Sequence, residues 1–148
     1  MLNRALLALT ALGALLAGAL ASAALAAPTT YEAPLLPTPG NAAAGAAVLV
    51  DGPAADELTV TLQGLAPGAA YHFHVHETKA PGDPCLTPGA TEPHVGWEYG
   101  PLVADAQGLA VGRGTAQSFT LHADETYFVD VETPAGGVVA CGVLKPGV

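Results

Sequence analysis

Three of the chain's five histidines fall at 72, 74 and 76, alternating with Phe73 and Val75. In an extended strand, side chains two positions apart point to the same side about 7 Å from each other, and those four apart stand about 13 Å apart. Two imidazoles at the shorter spacing can grip one ion. His72 and His76 cannot share one without a sharp bend, so a single ion takes either His72/His74 or His74/His76. Phe73 and Val75 supply the opposite, core-facing side. His122 shares the polar face of its own stretch with Ser118 and Thr120 and can add a third imidazole. His94, in a Pro- and Gly-rich stretch, can add a fourth. Imidazole ligation without thiolate suits copper(II), with zinc second, whereas Mg and Ca require carboxylates. The competing reading is a solvent-facing histidine stripe that holds no ion; alternation of three, with two more elsewhere, weighs against it. There are two cysteines, Cys85 and Cys141, and no CxxC pair. In an exported chain an even count points to a disulfide. It would close a loop of roughly 55 residues, a constraint on the unfolded chain of about 4 kcal/mol.

The elements that must position these groups are strands. From Ala46 onward the pattern has period two. Leu58, Val60 and Leu62 alternate with Thr59, Thr61 and Gln63, and Gly64–Gly68 makes a turn. Phe119 and Leu121 alternate with Ser118, Thr120 and His122; Tyr127, Val129 and Val131 alternate with Phe128, Asp130 and Glu132. Pro134–Gly137 is a turn, and Val138–Leu144 reads as a last apolar strand. Short β-branched or aromatic runs bounded by Gly, Pro or Asp imply an all-β fold, an antiparallel sandwich or barrel of about eight strands. Thr78–Gly100 breaks the rhythm and reads as one long irregular loop, the kind that is functional or pinned.

The N-terminal stretch differs from the rest. Arg4 precedes a long apolar run, and Ala24-Leu25-Ala26 fits a cleavage motif, with Ala21-Ser22-Ala23 as a second option. Residues 1–26 are therefore expected to be a secretory signal peptide rather than a membrane anchor. Residues 27–45, rich in Pro and Ala, read as an extended N-terminal segment, and 46–148 as the β domain. The chain has 148 residues, of which 51% are hydrophobic, enough for one folded domain and against disorder. Its formal charge of −9 disfavours nucleic acid and anionic lipid and favours small cations. The expected location is secreted or periplasmic, with no membrane association after cleavage.

Leu62–Glu77, LQGLAPGAAYHFHVHE, resembles the copper-ligand strand of the copper/zinc superoxide dismutase family. Cys85, Pro93–Gly96, Gly100–Gly108, Phe119–Asp124 (FTLHAD) and Gly136–Leu144 (GGVVACGVL) resemble later segments of that family in order. The resemblance spans about residues 46–144. It implies a Greek-key β-barrel with copper outside the barrel under loops, His74, His76 and His122 as ligands, and a Cys85–Cys141 disulfide. His94 matches either the bridging histidine or the last zinc histidine. His72 stands where the family has Gly. The chain departs from the family in three ways. Its long loop lacks the other zinc ligands, with Glu98 the one nearby acid, so copper without zinc is expected. The interval from His122 to Cys141 is too short for an electrostatic loop. Val138 occupies the position of the active-site Arg. The resemblance implies disproportionation of superoxide to O₂ and H₂O₂. The alternative is a non-catalytic copper carrier or buffer on the same scaffold.

Overall fold

A computed structural model describes residues 27–86, 93–117 and 121–147, with backbone alone for 93–98. The expected signal peptide lies outside the described residues. Among the described residues nine strands follow one another: β1 (Thr29–Pro37), β2 (Ala44–Asp51), β3 (Ala55–Gln63), β4 (Ala70–Thr78), β5 (Pro93–Val103), β6 (Ala110–Gln117), β7 (Thr126–Glu132), β8 (Val138–Val143) and the two-residue β9 (Lys145–Pro146). A single 3-10 turn, Pro84–Leu86, is the one helical element among the described residues. The strands pair antiparallel in the order β5-β4-β7-β8-β1-β2-β3-β6, with β9 alongside β1. The end strands β5 and β6 pack against each other, so the sheet nearly closes. Pairing of β6 with β3 and of β7 with β4, each across intervening strands, gives the Greek-key crossovers. The all-β barrel expected from the two-residue period is what forms.

Alternation builds the interior. In β3, Asp56, Leu58, Val60 and Leu62 are buried and the residues between them are not. Leu35, Leu49, Phe73, Val75, Leu102, Val129 and Val131 join the same core. In β6 the inward positions include Gly112 and Gly114. A Cβ on Gly112 would stand 2.7 Å from Phe73 and 2.9 Å from Leu102, and one on Gly114 would fall inside the Tyr99 ring. Small residues on one strand thus make room for large ones on the next, as a narrow barrel requires. Phe73 and Tyr99 stack there, centroids 5.3 Å apart.

Two boundaries differ from the sequence reading. The barrel does not begin at Ala46: β1 pairs with β2 over Thr29–Leu35, then switches to β8 at Leu36 and Pro37. It buries Ala33 and Leu35, so the N-terminal segment is structural. The irregular stretch does not reach Gly100, because the chain re-enters the sheet at Pro93 as β5. Prolines and glycines are tolerated there because β5 ends the strand order, where one row of backbone groups needs no ladder partner. The strand expected around Phe119 falls mostly on residues 118–120, outside the described residues; Leu121 and His122 lie in no strand.

Candidate metal centre

β4 and β7 are neighbours in the sheet, with Phe73 opposite Val131 and Val75 opposite Val129 on the core side. The other face carries His72 opposite Glu132, His74 opposite Asp130, and His76 opposite Phe128. A one-sided sheet would leave that face wet. Here it is dry: His74 is 7%, His76 3% and Asp130 0% exposed. A bond explains part of this. Cys85 and Cys141 form a disulfide, with Cα atoms 5.5 Å apart. Cys141 is the β8 partner of Asp130. The staple therefore holds the 3-10 turn against β7 and β8 beside the buried acid.

The side chains meet along the diagonals of the β4/β7 ladder. His76 Nε2 lies 3.1 Å from Asp130 Oδ1, and His74 Nε2 lies 3.8 Å from Glu132 Oε2. The two imidazole centroids are 5.7 Å apart, and the His76 ring stacks on Phe128 at 4.9 Å. His76, Asp130 and Glu132 each present one donor atom, all within 4.8 Å of one another. Such a group can hold a metal ion. Its fit is supported by the chemistry of Asp130: both carboxylate oxygens are fully buried and accept no hydrogen bond from the described residues. A carboxylate taken out of water without donors costs several kcal/mol. A cation between it and His76 would offset that penalty.

The expected histidines divide. His74 and His76 are in the cluster's face. His122 is exposed in the turn before β7 and is not among the grouped donors. Tyr127 secures that turn: its hydroxyl accepts from the His122 backbone N–H at 3.1 Å and donates to Glu125 at 2.7 Å. Burial, first of all, pushes the Tyr127 phenol up to about 12. Lys79 bridges to Asp124 and Glu125 at 3.1 and 3.2 Å. The hydrogen bond from Lys79 holds the Asp124 carboxyl below its ordinary value, while the Tyr127 hydroxyl does so first for Glu125. His94 follows Pro93, the β5 partner of His76, and Glu98 is the β5 partner of His74; their side chains lie outside the described residues.

The carboxylates were not among the expected ligands. The strand that pairs with β4 supplies Asp130 and Glu132 where a further imidazole was looked for. Their signal was present: an acid between Val129 and Val131 in a strand apolar on both faces has no reason to be there unless it is paired. Neither the models of known protein families nor the curated proteins include a match to this chain.

Proposed function

We propose that this is an exported copper-binding protein whose ion is held by His76 and Asp130, with His74 and Glu132 completing the donor set. The observation that carries this reading is the buried Asp130 carboxylate, without a hydrogen-bond donor among the described residues and 3.1 Å from His76 Nε2. Two imidazoles and two carboxylates form a nitrogen/oxygen set suited to copper(II), with zinc next. The disulfide accords with an oxidising compartment, as does the leader-like N terminus. The protein's part is to arrange the donors on two rigid strands, to exclude water from Asp130, and to draw cations with its charge of −9.

Among the uses of such a site, capture and delivery of copper fits the geometry best. Carboxylates favour the divalent ion, and the cations near the turn are committed elsewhere, Lys79 to Asp124 and Glu125. A superoxide dismutase is the second reading, favoured by the FHVHE strand and the disulfide-pinned loop over its outer face. Bound copper would supply the one-electron chemistry, oxidising one superoxide to O₂ and reducing another to H₂O₂ with two protons. With Val138 at the position of the family's Arg, the chain offers no matching charge to draw in the anion.

Isothermal titration of the metal-free protein with copper(II) tests the site. Wild type should bind one equivalent. Asp130→Asn should weaken binding at least tenfold, while the metal-free variant melts higher, since it removes the charge of a carboxylate whose burial costs several kcal/mol. Equal affinity in the two proteins refutes the assignment. Pulse radiolysis of the loaded protein then separates the uses. Superoxide decay no faster than with His76→Ala leaves the carrier.

A further inference from the structure

His72 is the third member of the alternating set, and the site as described does not use it. It lies on the same face of β4 as His74 and His76, half-buried where they are buried. β5 makes room for it. The β4/β5 register shifts between Tyr71 and Phe73, opposite Gly100 and Pro101. A Cβ on Gly100 would stand 3.2 Å from His72 Nδ1. Across the ladder on the other side, the residue opposite His72 is Glu132.

Glu132 is the common member of the whole face. It is the register partner of His72, lies 3.8 Å from His74 Nε2, and belongs to the group with His76 and Asp130. Side-chain exposure falls steadily along this line, from 21% for Glu132 to 9% for His74, 4% for His76 and 0% for Asp130. We propose that His72 and Glu132 form an outer capture position for an incoming divalent cation, from which it passes by way of His74 to His76 and Asp130. The proposal rests on the copper-site reading above. Its physical basis is dehydration. A hydrated divalent ion must exchange its water for protein donors, and a fully buried carboxylate cannot be approached by an ion that still carries its shell. A graded row of donors replaces the waters a few at a time, and the negative charge of the chain concentrates cations at its open end.

Stopped-flow mixing of metal-free protein with copper(II), supplied as its bis-glycine complex and followed by quenching of intrinsic fluorescence, tests the idea. His72→Ala and His72→Gln should each slow uptake about tenfold, with the equilibrium affinity within threefold of wild type and an unchanged copper EPR spectrum. Unchanged uptake rates overturn the capture position while leaving the inner site standing. A loss of affinity matching the loss of rate, or an altered EPR spectrum, overturns it too, because His72 then holds the resident ion. A wild-type protein that takes up no copper overturns both this inference and the functional reading.

Discussion

Asp130 and Asp51 sit on strands of one barrel, yet their surroundings set them different problems. Asp130 accepts no hydrogen bond from the described residues and has the His76 imidazole 3.1 Å away. Asp51 faces another acid: it pairs in register with Asp56, which is 1% exposed and accepts a hydrogen bond from the Gly52 N–H at 3.1 Å. Burial, then the charge and hydrogen bond of Asp56, raise the Asp51 carboxyl above its ordinary value. A carboxyl whose folded pKa is raised destabilises the native state once ionised. That penalty is full above the folded pKa and disappears as pH falls through it. Asp51→Asn should therefore raise the melting temperature at pH 7 and lose the advantage near pH 3. The gain is a few tenths of a kcal/mol, because solvent screens a partly exposed pair. Melts from pH 3 to 7 check this, and an advantage that persists at pH 3 would show that charge is not the cause. At this scale the sequence was informative about His74 and His76, whose alternation with Phe73 and Val75 gives their shared face directly. It was uninformative about Asp130, because a strand's own pattern does not say which neighbour it will pair with.

Strands, more than single residues, decide whether those groups converge. β4 and β7 are buried on both faces along most of their length, whereas β3 keeps a plain alternation. The difference lies in what covers the outer face, which neither strand encodes alone. β6 shows the converse, a sequence feature whose reason is tertiary. Its Val-Gly-Arg-Gly run reads as a weak strand, and the glycines make sense once Phe73, Leu102 and Tyr99 are seen to fill the space beside them. Gly114→Ala should lower stability by about 2 kcal/mol, the cost of forcing the Tyr99 ring from its place. Urea unfolding measures it, and a change below about 0.5 kcal/mol would mean that the ring moves freely. Arg113, between the two glycines, reaches Glu57 at 3.4 Å on the surface, a contact worth little. β1 went unrecognised for an instructive reason. Its prolines argue against a strand, but Tyr31, Ala33 and Leu35 keep the period, and Pro34 is accommodated opposite Ala46 in the β1/β2 ladder while Pro37 sits where the strand has switched to β8.

The whole molecule is a nearly closed barrel with one covalent staple across its outer face. Closing a long loop with Cys85–Cys141 stabilises the fold by about 4 kcal/mol through the unfolded state, and its position beside Asp130 shields the candidate site. Opening of the barrel should show at high pH. Tyr99 and Tyr127 are both pushed up to about 12, chiefly by burial. An unfolded tyrosine ionises near pH 10, so between about pH 10 and 12 the unfolded state gives up protons that the folded state retains. Stability falls across that window. A spectrophotometric titration should show Tyr99 and Tyr127 ionising late, and stability that stays level to pH 12 would contradict it.

The sequence by itself determined much of the local geometry: that β2, β3, β4, β7 and β8 are strands, that three histidines share a side, and that two cysteines would pair. Those properties depend on neighbours one to four residues apart. Tertiary structure decided that β7 lies beside β4, that Asp130 and Glu132 come within reach of His76, and that His74, His76 and Asp130 are buried. Contacts between residues more than fifty positions apart are set by the closure of the barrel, and no local period carries that information.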